Sequence, residues 1–197
     1  MKDINILVVG VGGQGALLAS NVLANIGVMA GFDVKKAEVH GMSQRGGSVN
    51  SHVRWGAAVK SPVISTGEAD VLFSLEKLES LRYVSMLRKD GVALIGEFKI
   101  PPLTVSSGDD LYPEDHQIKS VIRQITENFQ IIPTLTLAEE AGNTRAHNVV
   151  LLGALSTKIE AVSPDIWLKV IESTVPKKSI EINRKAFILG REAVLKN

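Results

Sequence analysis

The sequence predicts an α/β protein: a Rossmann-like, mostly parallel sheet flanked by helices, with a helical C-terminal third. Three observations carry this. INILVVGVG, residues 4–12, is a short continuous apolar run ending in glycine, as expected of a strand buried on both faces of a parallel sheet. A helical stretch and a second strand follow it directly. Apolar strand-like runs then alternate with helical stretches to about residue 98, after which helical periodicity dominates. No internal repeat, low-complexity tract or linker interrupts the 197 residues, so one domain over 1–197 is expected.

Each element has its own signal. Residues 14–30, QGALLASNVLANIGVMA, read as a helix stopped by Gly31. Leu17, Leu18, Val22, Leu23, Ile26, Val28 and Met29 wrap nearly all its sides, whereas a surface helix over a sheet should keep one wet face. A neighbouring element or another subunit is therefore expected to cover the far side. FDVKKAEV supplies the second strand. SVNSHVRWG, residues 48–56, alternates Val49, Ser51, Val53 and Trp55 against Asn50, His52 and Arg54, the period of a half-exposed strand. ADVLFSL is a further apolar strand, followed by a helix through Leu78, Leu81, Val84 and Leu87. Asp90-Gly91 turns the chain into the strand VALIGEF.

Residues 99–115, with Pro101-Pro102 and Tyr112-Pro113, read as an irregular connection. HQIKSVIRQITENF carries Ile118, Val121, Ile122 and Ile125 at helical spacing, and NTRAHNVVLLGALSTKI is a largely apolar helix. Ser163-Pro164-Asp165 is a strong helix start, and INRKAFILGREAVL closes the chain as an amphipathic helix.

Composition excludes several functions. A formal net charge of +1, with no basic tail, gives no general pull toward nucleic acid or acidic lipid. No cysteine is present, which removes disulfides, a thiolate nucleophile and any iron–sulfur cluster held by this chain. No apolar run is long enough to span a bilayer, and Met1-Lys2-Asp3 leads straight into the first strand without a leader. A cytoplasmic location is the expectation.

Two glycine turns stand out. Gly10-x-Gly12-x-x-Gly15 suits a tight strand-to-helix corner whose backbone N–H groups face an anion at a helix N-terminus. A dinucleotide reader would add an acid near the end of the second strand, where Glu38 sits; the plain alternative is close helix–strand packing. The second turn, HGMSQRGG, places Gly41, Gly46 and Gly47 around Ser43, Gln44 and Arg45, the last a bidentate cation for phosphate or carboxylate. Its plain alternative is a solvated turn with Arg45 paired to an acid such as Glu38.

Other residues carry weaker signals. His40 and His52 border the second turn but lack companion ligands, so a structural role outweighs metal binding, and no metal site is expected. Asn143, Arg145, His147 and Asn148 crowd a helix start, which suits an anion or, preferably, capping by Asn143. Arg54 and Trp55 could stack on a ring, a pairing too common by chance to weigh.

The two turns together with GEADVLFSLEKLESLRY, IPPLTV, GNTRAHNVVLLGAL and VPKKSIEINRKAFILGRE make the chain resemble the 2-oxoacid:ferredoxin oxidoreductases over nearly its whole length. The match is to their γ-type domain, and HGMSQRGG is most similar to the small (β) subunit of the indolepyruvate branch. What the resemblance implies is a division of labour. A large α subunit carries thiamine diphosphate and the iron–sulfur clusters. The complex decarboxylates an aryl 2-oxoacid, transfers the acyl group to coenzyme A and reduces ferredoxin. This chain completes the assembly, with coenzyme A as its own candidate ligand, and is inactive alone. Gly10, Gly12, Gly13, Gln14 and Gly15 match the first family motif. Gly41, Met42, Ser43, Gln44, Arg45, Gly46 and Gly47 match the second. Gln14, Ser43, Gln44 and Arg45 would be the hydrogen-bonding members, with the glycines giving N–H donors; no catalytic residue carries over. A stand-alone NAD- or FAD-dependent oxidoreductase, or a ligand-free scaffold, remains the competing reading.

Overall fold

The computed structural model describes residues 3–40 and 46–196, with His40 described for its backbone alone. In chain order it contains β1 (Ile4–Val11), α1 (Ala16–Met29), β2 (Asp33–His40), β3 (Ser48–Gly56) and β4 (Ala69–Ser74). There follow α2 (Lys77–Tyr83), β5 (Leu87–Gly96), a short α3 (Leu103–Ser106), α4 (Asp115–Arg123), β6 (Phe129–Ile132) and α5 (Thr134–Ala141). The chain ends in α6 (His147–Ser156), α7 (Pro164–Thr174) and α8 (Ile180–Leu195), the helical C-terminal third that the sequence predicts.

The six strands form one sheet in the order β2-β3-β1-β4-β5-β6. Pairs β1–β4, β4–β5 and β5–β6 are parallel; β3 pairs antiparallel with both β1 and β2. The exception has a simple cause. A short connection permits only a hairpin-like return, whereas a parallel neighbour needs a long crossover. The α1 crossover therefore lands β2 one strand away from β1, and β3 runs back through the gap.

Strand alternation divides the core into two layers. Ile6, Val8, Val71, Phe73 and Leu94 face α1 and the C-terminal helices, whereas Leu7, Val9, Leu72, Ala93 and Ile95 face Ile118 and Ile122 of α4. Helix α1 lies flush on the sheet because Gly27 has no side chain: a Cβ there would sit 2.6 Å from Trp55 Nε1. Its far side is partly covered by α7 and α6. Leu17, Val28 and Met29 nevertheless stay 53%, 62% and 45% exposed, so only part of the apolar surround is used within this chain. Helices α6 and α8 cross backbone to backbone, where a Cβ on Gly190 would fall 1.8 Å from the Val150 carbonyl oxygen and one on Gly153 2.1 Å from that of Phe187.

Several sequence expectations need correction. Strand β3 is not half-exposed: Asn50, Ser51, His52, Val53 and Trp55 are all buried. The 57–68 excursion and Tyr83 cover its polar side. There His52 Nδ1 accepts from the Ile64 amide at 3.1 Å, Asn50 Nδ2 donates to the Tyr83 hydroxyl at 2.9 Å, and Arg54 donates to Asn5 Oδ1 and to the Ser61 and Val63 carbonyls. Satisfied polar side chains can thus keep a polar period inside a protein. Leu87 does not end α2 but opens β5, and Asp90, at φ +62°, marks a register shift between β4 and β5. The edge strand β6, FQII, is not announced by the sequence: only Phe129 falls in the helical stretch HQIKSVIRQITENF, and four residues are too few to show a period of two. Among the described residues, no helix is long and apolar enough to cross a membrane.

Candidate functional site

The carboxyl ends of β1 and β2 and the start of β3 meet at one edge of the sheet, beside the N-terminus of α1. Beyond the paired residues Val11 and Ser48, the β1–β3 ladder continues into the two glycine turns. The Gly12 amide donates to the Gly47 carbonyl at 2.8 Å, and the Gly46 amide donates to the Gly12 carbonyl at 3.2 Å. The first motif is therefore stitched to Gly46 and Gly47, the part of the second that lies among the described residues. Next to it opens a cleft of about 400 Å³, lined by Gly12, Gly13, Gly15, Ala16, Leu17, Glu38, Val39, Val49, Asn50 and Ser51.

The α1 side of the cleft has the features of an anion receiver. Gly15, at φ +85°, turns the chain into α1 with no side-chain cap and no acid in the first turn. Among the described residues, no acceptor pairs with the amides of Gly13, Gly15, Ala16 or Leu17, donors that a helix start leaves free. Gly13 is at φ +106°, and a Cβ there would meet nothing within 4 Å, so its backbone is open to an approaching group. On the opposite wall Glu38 brings a negative charge, held by Lys36, which also reaches Asn21 on α1. Asn50 is buried at the back, and its Oδ1 has no partner among the described residues.

The sequence-predicted site residues other than Gln14 fall into three groups. Gly12, Gly13 and Gly15 line the cleft, and Gly46 and Gly47 stitch its rim. Gly10 lies inside the turn, where a Cβ would sit 3.1 Å from both Gln14 Oε1 and Leu75 Cβ. Gly41, Met42, Ser43, Gln44 and Arg45 lie outside the described residues, as does the pairing of Arg45 with Glu38.

Gln14 differs from its expected ligand-facing role. It is buried, its Oε1 accepts from the Val11 amide at 2.8 Å, and its Nε2 donates to the Leu75 carbonyl at 3.2 Å, so both ends are spent within the protein. His52 is structural, and burial together with the Arg54 charge lowers its pKa. Arg54 and Trp55 point to opposite faces; Trp55 is fully buried against Phe32 and Gly27. Among the described residues no cluster of three or more His, Cys, Asp or Glu could hold a metal ion.

At the second helix start, Asn143 Oδ1 accepts from the Arg145 amide, the capping role preferred from sequence. His147 is buried against the Phe98 ring with an unpartnered Nδ1, and burial lowers its pKa to about 4. Sequence reasoning missed Asn50 and Ser51 as cleft residues. It also missed the network behind them, where Ser48 Oγ contacts the Tyr83 hydroxyl and donates to Glu79, a buried carboxyl whose pKa burial raises. The proximity of Asn50 and Ser51 to the second glycine turn was a usable signal; the approach of Tyr83 and Glu79 was not.

Comparison with known proteins gives the geometry a context. Residues 5–193 match the model of the pyruvate ferredoxin/flavodoxin oxidoreductase family. The chain belongs to this family. It is 43% identical over 195 residues to the indolepyruvate oxidoreductase subunit IorB of Pyrococcus horikoshii, covering 98% of this chain and 96% of that one. The IorB subunit of Archaeoglobus fulgidus is 40% identical, covering 95% and 93%. The keto/oxoacid ferredoxin oxidoreductase gamma subunit of Geobacter sulfurreducens superposes with a TM-score of 0.71 at 26% identity, over 98% of this chain and 99% of that one. Within the pyruvate ferredoxin/flavodoxin oxidoreductase family, then, this is a small gamma-type subunit of the 2-oxoacid ferredoxin oxidoreductases.

Proposed function

We propose that this chain is the small subunit of a coenzyme A-dependent aryl 2-oxoacid ferredoxin oxidoreductase of the indolepyruvate type. Its glycine cleft would receive phosphates of coenzyme A. The redox chemistry belongs to a large partner subunit bearing thiamine diphosphate and iron–sulfur clusters, since a chain without cysteine offers no thiolate to a cluster. Ferredoxin is the electron acceptor of the complex. The likeness to two indolepyruvate oxidoreductase subunits at 40% identity or more supports the aryl substrate.

The observation that carries the ligand reading is the first glycine turn, stitched to Gly46 and Gly47, beside an uncapped helix start. Free N–H groups and the positive end of the α1 dipole favour a phosphate there. A cleft of about 400 Å³ is near the lower end of small-molecule sites, about 300–1,000 Å³. It suits a diphosphate and part of an attached arm, with the remainder shared with the partner subunit.

The NAD or FAD alternative fits the geometry less well. In an ordinary dinucleotide fold β2 lies next to β1, so its terminal acid reaches the ribose. Here β3 intervenes and sets Glu38 two strand spacings, about 10 Å, from β1. Glu38 is also held by Lys36.

The test uses the assembled complex. Leu17 lines the cleft mouth and is 53% exposed, so Leu17→Glu adds a negative charge there at little expense to folding. It should raise the KM for coenzyme A at least about tenfold, equivalent to about 1.4 kcal/mol, without changing the KM for the oxoacid. An unchanged coenzyme A KM overturns the ligand reading, and oxoacid turnover by this chain alone overturns the division of labour.

A further inference from the structure

Two buried carboxamides hold the first glycine turn, one from within it and one from a distant helix. Gln14 spans the gap between β1 and the end of β4, taking the Val11 amide on one side and giving to the Leu75 carbonyl on the other. Asn148, 133 residues away at the start of α6, presses on the turn from the helical layer. Its Nδ2 donates to the Gly15 carbonyl over a long 3.4 Å and sits so near Gly15 that a Cβ there would be 2.3 Å from it. Its Oδ1 accepts from the Val149 amide at 2.9 Å, which fixes which end of the amide faces the turn. Asn148 is 3% exposed and Gln14 7% exposed, so water does not substitute for either.

We propose that Asn148 and Gln14 are positioning residues for the glycine cleft, two carboxamide clamps that hold the Gly10–Gly15 turn in its anion-receiving shape. The inference rests on the reading of the cleft as a coenzyme A phosphate site. Its logic is conformational. Gly13 and Gly15 both hold positive φ, a region where glycine is free to move away as easily as to stay. Backbone donors help a ligand only if they are already aimed, because ordering a flexible loop on binding subtracts from affinity. No side chain caps the start of α1, so the order comes from Gln14 within the turn and Asn148 outside it. Gln14 fixes the strand end of the turn. Asn148 fixes the helix end, through the carbonyl of the residue that opens α1. Because Asn148 belongs to α6, which packs on α8, the shape of the cleft is set partly by the C-terminal helices, which contribute no lining residue to it.

Asn148→Asp keeps size and shape but replaces the Nδ2 donor with an oxygen facing the Gly15 carbonyl. Gln14→Glu does the same at Leu75 while leaving an acceptor for the Val11 amide. In the assembled complex, each variant should raise the KM for coenzyme A about five- to tenfold and leave kcat and the oxoacid KM within twofold. Titration calorimetry with coenzyme A alone should show the same loss of affinity. Asn148→Ala, which removes the oxygen–oxygen clash but also the donor, should fall between wild type and Asn148→Asp. A fall in Tm with an unchanged coenzyme A KM would assign both residues a merely structural role and overturn the proposal. Leu17→Glu separates the two levels of argument. If it weakens coenzyme A while Asn148→Asp and Gln14→Glu do not, the clamps fail and the cleft stands; if none of the three affects coenzyme A, the cleft reading fails with them.

Discussion

His147 makes the stability of this chain depend on pH in a way that one substitution should erase. The imidazole is 7% exposed, lies tilted at 52° with its centre 4.5 Å from that of the Phe98 ring, and has no partner for Nδ1 among the described residues. Burial without a compensating acceptor disfavours the charged form and lowers the pKa from 6.5 to about 4. The unfolded chain takes up a proton near pH 6.5, whereas the folded chain refuses it until about pH 4. Stability fully present above pH 6.5 is therefore lost as pH falls toward 4, and the loss levels off below that. A shift of about 2.5 units at about 1.4 kcal/mol each amounts to roughly 3 kcal/mol across this window. His147→Phe keeps an aromatic ring against Phe98 and removes the titrating group. Urea unfolding of the isolated chain at several pH values between 7.5 and 4 gives the two stabilities, and their difference isolates His147. His52, whose pKa burial also lowers, contributes equally to both proteins and cancels. The wild type should lose roughly 3 kcal/mol more than the variant between pH 7 and 4. Parallel pH profiles, or an imidazole resonance of His147 titrating near 6.5, would refute the reasoning.

Two other perturbations follow from packing and charge. Gly190→Ala drives a methyl group into the Val150 carbonyl across the α6–α8 crossing, where neither backbone can yield. Overpacking of this kind should cost about 2 kcal/mol or more and lower Tm by roughly 4–8 °C, read by calorimetry. Glu79 titrates in the opposite sense to His147. Burial raises its pKa, so its contribution is present at low pH and is lost as pH rises through the folded value. Glu79→Gln should therefore gain stability over wild type at pH 7 and lose that advantage toward pH 4.5, measured by the same urea series.

Much of the architecture was legible in the chain because it depends on local signals. The apolar run of β1, the glycine corner and the Gly31 stop, at φ +85°, specify β1 and α1 with little help from the rest of the molecule. The capping role of Asn143 was likewise local. Non-local satisfaction defeated the reading of β3. Asn50, His52 and Arg54 look solvent-facing by period, yet each finds a partner more than six residues away, and Asn50 and His52 are buried while Arg54 is half-buried. At the site, both glycine motifs could be read, but their stitching through Gly12 and Gly47 depends on the antiparallel placement of β3, which no residue pattern announced. Gln14 misled because a carboxamide beside a phosphate-type glycine turn has the right chemistry for a ligand and equally for clamping its own backbone. Only the positions of Val11 and Leu75 decide between the two.

The central claim is that the first glycine turn, joined to Gly46 and Gly47, seats a phosphate group of coenzyme A in the assembled oxidoreductase. A structure of the complex with coenzyme A bound tests it most directly. Phosphate oxygens within hydrogen-bond distance of the backbone amides between Gly13 and Leu17 are the expected result. Coenzyme A held wholly by the partner subunit, with those amides facing solvent, would contradict the account.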